Sequence, residues 1–174
     1  IKLLTAAQAK LKRMLKSFEL DLAIIDGAIS GNDLVSRRLD LDKLALVTSP
    51  SHPLASRTSV TIDEVRREKL ILRLPGSGTA DMFISSLESR DMSIDDFNVI
   101  LEVDNIATIK DLVRHEYGVS VLAESACTDE VMKKKLCIIP IENLNMEREI
   151  NIVYAPSFPY VDFIDEIQEL YQRL

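Results

Sequence analysis

The order of elements predicts an α/β chain with mainly parallel sheets: short buried apolar runs alternate with segments of helical periodicity over all 174 residues. Two further observations support it. Hydrophobic residues make up 47% and charged residues 28%, a balance that supplies a sizeable core. Turn residues also fall where strands should end. The length fits one domain or two small lobes and excludes a large multidomain enzyme.

Leu11, Met14, Leu15 and Phe18 recur at i, i+3, i+4, i+7 with lysines between them, predicting an amphipathic helix over 8–19. Residues 20–25 (LDLAII) form a buried strand that stops at Asp26-Gly27, where glycine lets the backbone turn out of a sheet. A strand over 43–48 (KLALVT) and a proline-marked turn over 49–53 come next, then a short helix from Ile62 with Thr61 as its N-cap. The strand 70–74 closes on Pro75-Gly76-Ser77-Gly78-Thr79, and the helix after it carries Met82, Phe83 and Leu87 on one side. Residues 98–103 (NVILEV) make another strand. After Asp104-Asn105 a helix presents Ile106, Ile109, Leu112, Val113 and Tyr117, and Gly118 opens the strand 119–123 (VSVLA). A polar helix over 127–134, a strand over 136–141 interrupted by Pro140, and the strand 150–154 (INIVY) follow. The last helix begins after Pro159, with Tyr160, Ile164, Ile167, Tyr171 and Leu174 on one face.

Charge and composition narrow the function. Asp and Glu number 28 against 21 Lys and Arg, a net charge of −7. Phosphate-backbone binding draws its affinity from counterion release by basic groups, so this chain alone is not expected to be a DNA-binding part. No apolar run approaches the ~20 residues that span a bilayer, and no signal-peptide pattern is present, so the chain reads as soluble and untargeted. Cys127 and Cys137 lack the paired spacing of a zinc site and read as inert thiols in a reducing cytoplasm. The two histidines sit apart, His52 in a turn and His115 on a solvated helix face. With no HExxH cluster and no GxSxG elbow, metal hydrolysis and triad catalysis lack their residues.

Ligands of open α/β sheets sit at the carboxyl ends of strands, where helix N-termini gather. Three strand-to-helix junctions stand out: Asp26-Gly27-Ala28-Ile29, the stretch from Pro75 to Thr79, and Asp104-Asn105-Ile106. PGSGTADMF has the chemistry of an anion cradle, with glycines for close approach, Ser77 and Thr79 hydroxyls, and the free N–H groups of a helix start. A capped helix after a tight turn, with Thr79 as the cap and nothing bound, explains the same residues about equally well. Asp104-Asn105 likewise reads as a cap or a ligand contact, and its position relative to Ser77 decides which. The loop lacks the lysine and spacing of GxxxxGK[ST] and the pattern GxGxxG. The chain therefore reads as a binding module, not an enzyme.

In order and spacing, ELDLAIIDG (19–27), LVSRRLDLDKLALVTSPSHPLA (34–55), LILRLPGSGTADMF (70–83), LEVDNIATIKDLVRHEYGVSVLAESA (101–126) and INIVYAPSF (150–158) resemble the effector-binding domain of LysR-type bacterial transcriptional regulators. The resemblance covers nearly the whole chain. It implies a type 2 periplasmic-binding-protein-like fold, two Rossmann-like α/β lobes joined by two crossing strands with an effector cleft between them. Carried over, lobe one is 1–66 plus 146–174 and lobe two is 67–145. The resemblance implies a small anionic effector, a metabolite or an oxyanion, held by Ser77, Gly78 and Thr79 with Asp104 and Asn105 nearby. From lobe one it assigns Gly27, Ala28 and Ile29, and Ala7 and Gln8 at a helix start; Arg37, Arg38 or Arg73 could reach in. It further implies a homodimer or tetramer in the cytoplasm, with strand 98–103 and the helix of Met82 and Leu87 as a partner surface. Promoter DNA is reached only through a helix-turn-helix outside this chain; no membrane, metal or cofactor is called for. The family's first strand and helix are not in the sequence, so further residues are expected upstream of Ile1. A transport solute-binding protein shares the two-lobe fold and is the alternative. An enzyme acting on a carboxylate would need a buried acid or base, for which only Asp26 and Asp104 are candidates.

Overall fold

The spacing of apolar residues in QAKLKRMLK builds α1 (Gln8–Lys16), which buries Leu15. In a computed structural model, residues 2–6, 8–27 and 33–171 are described. α1 stops short of Glu19 because Phe18 adopts a left-handed φ of 57°. The Glu19 and Leu20 amides both donate to the Met14 carbonyl, at 2.9 and 3.3 Å, closing the helix without a glycine. Phe18 thereby leaves the apolar face and is exposed.

β1 (Leu22–Asp26) pairs antiparallel with β7 (Glu147–Tyr154), Leu22 opposite Tyr154 and Asp26 opposite Ile150. β2 (Val35–Thr48) has 14 residues, far longer than the strand expected from KLALVT. Its first half, VSRRLDLD, alternates in exposure from Val35 to Asp40 as a half-buried strand does, with Leu41 exposed and Asp42 buried where the alternation shifts, and β7 stands between β1 and β2 in the strand order. α6 (Val161–Tyr171) lays Ile164 against Leu39, Ile152 and Tyr154. It is pinned by Gln168 Nε2 donating to the Arg38 carbonyl at 3.0 Å and by Arg37 pairing with Asp165 at 2.8 Å. Leu174, expected on the same face, lies outside the described residues.

The chain divides into two compact units, Ile1–Leu41 with Arg148–Leu174, and Asp42–Glu147. Both passages between them occur within strands, at Leu41/Asp42 in β2 and Glu147/Arg148 in β7. Residues 42–66, expected with lobe one, belong to unit 2. Leu44, Leu46, Leu54, Val60 and Val65 share one core with Leu70, Leu72 and Phe83, because the second half of β2 pairs with β5.

In unit 2, β3 (Lys69–Arg73) runs parallel to β4 (Asn98–Val103) on one side and to β5 (Val119–Ala123) on the other. β2 pairs antiparallel with β5 and with β6 (Cys137–Ile139), so the sheet is mixed. α2 (Ile62–Arg66) starts at the expected Thr61: its hydroxyl accepts from the Glu64 amide at 3.3 Å while Glu64 accepts from the Thr61 amide at 2.8 Å. The Glu64 carboxylate accepts from the Thr61 amide and also from the Thr61 hydroxyl, at 3.1 Å, and these two bonds hold it below the usual carboxylate range. α3 (Gly78–Glu88) packs Phe83 and Leu87 with Leu70 and Leu72, whereas α4 (Ile106–Arg114) packs Ile109 and Val113 with Ile71, Val47 and Leu122. Successive β3 residues thus enter different cores, as strand periodicity requires. Tyr117, expected with the α4 face, is exposed because His115 already caps the helix and Glu116 turns left-handed at φ 63°. α5 (Thr128–Met132) is shorter than 127–134, and Pro140 confines the strand expected over 136–141 to β6.

Cys127 is fully buried in the α4-side core, and burial pushes its thiol up to about 11; Cys137 is half-buried. Since the thiolate is the reacting form, titration with Ellman's reagent at neutral pH should find Cys137 reactive in the native protein and Cys127 only after denaturation. Two fast native thiols would contradict this packing.

Candidate functional site

The β3–β4 pairing fixes where the two junctions of unit 2 stand relative to each other. These neighbours are parallel, Arg73 is in register with Val103, and the Leu74 amide donates to the Val103 carbonyl at 3.2 Å. Their following junctions, Pro75 to Thr79 and Asp104-Asn105, therefore leave the same edge of the unit 2 sheet.

At the first junction Gly76 takes φ 82°, a conformation a side chain would strain, and the Ser77 amide donates back to Leu74 at 3.2 Å. The N-cap of α3 is Ser77, not Thr79: Ser77 Oγ accepts from the Ala80 amide at 3.2 Å. Capping uses a lone pair and leaves the Ser77 O–H available to donate. The first amides of a helix have no intrahelical acceptor, and about half a positive charge resides there. Ser77 is half-buried and Gly78 exposed, but Thr79 is only 6% exposed, so the accessible part of the cradle is Ser77-Gly78. Asp81, whose Oδ1 accepts from the Gly76 amide at 3.0 Å, places a carboxylate in the first turn and offsets part of the helix dipole.

At the second junction Asn105 caps α4, its Oδ1 accepting from the Thr108 amide at 3.2 Å. Asp104 projects into solvent and accepts from Arg73 Nη2 at 3.4 Å. The junction after β5 is closed by a residue the sequence reading missed. Asp42, 5% exposed, accepts from the Ser125 amide at 3.3 Å and the Ser125 hydroxyl at 2.9 Å. An internal carboxylate occupies the donors there. Its partner is 83 positions away, which no local signal announces.

Unit 1 carries the remaining expected contacts. Ala7, Ala28 and Ile29 lie outside the described residues. Gly27, at φ 85°, has its amide engaged by the Glu149 carbonyl at 2.7 Å, and its own carbonyl accepts from Asn151 Nδ2 at 3.1 Å. Gln8 Nε2 donates to the Asp26 carbonyl at 2.9 Å, and Arg148 Nη1 holds the Asp26 carboxylate at 2.5 Å. Gln8 and Asp26 border a cavity of ≈ 200 Å³ that Thr5 and Leu11 also line. Arg37 is bound by Asp165, and Arg38 lies 3.8 Å from Glu149. Among the described residues there is no group of acidic, histidine or cysteine side chains placed to hold a metal, and no helix is long and apolar enough to cross a membrane.

Comparisons with known proteins agree on one family. An uncharacterized HTH-type transcriptional regulator of Methanocaldococcus jannaschii is 31% identical over 112 residues, 64% of this chain and 38% of that protein. The HTH-type transcriptional regulator CysL of Bacillus subtilis is 23% identical over 141 residues, 81% of this chain and 46% of that protein. The chain thus spans less than half the length of these relatives, both named as HTH-type transcriptional regulators. The regulatory domain of Synechocystis CcmR, in complex with 2-PG, superposes with a TM-score of 0.80 at 20% identity, covering 97% of this chain and 81% of that one. The reduced OxyR regulatory domain from Pseudomonas aeruginosa gives a TM-score of 0.76 at 19% identity, covering 97% and 80%. These likenesses establish the fold, and the family model of the LysR substrate binding domain matches residues 1–170. The chain belongs to the LysR substrate binding domain family.

Proposed function

We propose that this chain is the effector sensor of a cytoplasmic LysR-type regulator and that unit 2 takes a small anion at the shared edge of β3 and β4. The observation that carries this reading is the parallel β3–β4 pair, which brings two capped helix starts, Ser77 to Thr79 and Asp104-Asn105, to one sheet edge. Ser77 O–H and the Gly78 amide are the donors, Thr79 supports them from within the fold, and Asn105 offers its amide group beside them. In unit 1, considered by itself, Gln8 lines the ≈ 200 Å³ cavity. That the CcmR regulatory domain was obtained with 2-PG supports a small-molecule effector for this fold. Binding alters a DNA-binding part beyond this chain only to the extent that the ligand prefers one conformation over another. Homodimerisation is assigned to β4, an edge strand that exposes Ile100 and Leu101, together with α3.

The test is thermal unfolding against a panel of small anions, because a ligand that binds only the native state stabilises it by RT ln(1 + [L]/Kd). One anion should raise Tm in the wild type and lose most of that shift in Ser77→Ala. The mutation also lowers the unliganded stability by ~1 kcal/mol through the lost cap, so the ligand-induced shift is the quantity to compare. An equal shift in both proteins would remove Ser77 from the site.

A further inference from the structure

We infer that Arg73 reads the charge of the effector, with Asp104 as its exchangeable internal counter-ion; this rests on the proposed anion site of unit 2 and names the residue that sets its ligand class. Arg73 is the last residue of β3, on the same side as Ile71, which packs with Ile109 and Val113 of α4. Its guanidinium therefore emerges on the face where α4 begins, beside the positive end of that helix. The side chain is 18% exposed, and its Nε is covered with no hydrogen-bond partner among the described residues. Among the described residues its one ion pair is the 3.4 Å contact from Nη2 to Asp104, long for a charge-assisted bond, whose usual length is ~2.7–2.9 Å. Asp104 is 82% exposed, so solvent screens the pair.

The contrast within the molecule lies in the length of the ion pair, not in the covered Nε, which Arg148 shares. Arg148, comparably covered, holds Asp26 at 2.5 Å, and Arg37 holds Asp165 at 2.8 Å, against 3.4 Å for Arg73. A covered guanidinium is costly unless fully paired, and Arg73 is under-paired at a place where the adjacent helix also favours negative charge. The complement is a small anion bearing carboxylate or phosphate oxygens. An arriving oxygen replaces Asp104 on Nη2 and lets the planar fork turn so that Nε also gains an acceptor, the bidentate geometry that arginine provides and lysine does not.

The test follows two sets of NMR signals in the chain, the Ser77 to Thr79 amides and the Arg73 Nε–Hε group, during titration with sulfate, inorganic phosphate and 2-PG. A probe that moves the amides should also move the Arg73 signal. Arg73→Gln should weaken that probe roughly 10- to 100-fold, the loss expected for one hydrogen bond to a charged group, and Asp104→Asn should tighten it. If the amides move while the Arg73 signal and the Arg73→Gln affinity stay unchanged, the role of Arg73 is overturned and the site stands. If neither set moves with any probe, both are overturned. Weaker binding in Asp104→Asn would overturn the counter-ion role even if Arg73→Gln behaves as expected.

Discussion

Replacing Phe83 with alanine is expected to destabilise the protein by ~3–5 kcal/mol, the range for deleting a large buried aromatic. Phe83 is fully buried at the middle of α3 and meets Phe97 edge-on, with centroids 5.8 Å apart and an interplanar angle of 76°. Edge-to-face pairs add to burial, and the surrounding Leu70, Leu72 and Leu87 cannot all collapse into the vacated space because they are fixed by the sheet and by α3 itself. At ~2–4 °C per kcal/mol for a chain of this size, Tm should fall by roughly 6–20 °C in calorimetry. A fall of under ~1 kcal/mol by denaturant titration would mean that α3 is not held by this core. Because Ser77 caps the same helix, loosening α3 should also reduce the response to any anion bound at its start.

Gly118→Ala is the second large effect. Gly118 precedes β5, and a Cβ there would overlap the Lys69 carbonyl oxygen and stand 3.2 Å from its carbonyl carbon. Both atoms are backbone, so neither can rotate aside. Relief requires separating β3 from β5, which are hydrogen-bonded through Leu70↔Val119 and Ile71↔Ser120, and Ser120 further donates to the Ile71 carbonyl at 2.6 Å. Overpacking of this kind costs ~1–3 kcal/mol or more, read as a lower denaturant midpoint with an unchanged slope. No loss of stability would show that the close approach of β3 and β5 is absent in solution.

These two positions also mark how far the sequence could be read. Phe83 and Leu87 were legible because helical spacing is a local property, and the Thr61 cap was legible because its partner Glu64 is three residues on. Gly118 was recognisable as a strand start, but the carbonyl that forbids a side chain there comes from Lys69, far along the chain. The first half of β2 was missed because VSRRLDLD has no clean apolar/polar alternation: Arg37 and Arg38 fall on both sides, and Asp42 is buried where Leu41 is exposed. Pairing direction is not encoded locally, which is why β1–β7 and β2–β5 turned out antiparallel and why residues 42–66 went to unit 2.

The candidate site divides in the same way. The helix starts at Ser77-Gly78 and after Asp104-Asn105 were legible from turn chemistry, since glycines, hydroxyls and caps announce them. That Ser77 and not Thr79 is the cap depends on a single backbone step that sequence does not fix. Arg73 was one of three arginines that could reach in, and its distinction from Arg37 and Arg38 lies in partners contributed by distant residues. Asp42 gave no signal at all, because a buried carboxylate reads in sequence as one more strand-face charge.

The most direct test of the central claim is a crystal structure of the chain with the anion that gives the largest thermal shift. The account predicts the anion at the edge of β3 and β4, its oxygens within hydrogen-bond distance of Ser77 Oγ and the Gly78 amide. An anion bound elsewhere, for instance in the cavity beside Gln8 and Asp26, with the Ser77-Gly78 edge open to solvent, would contradict it.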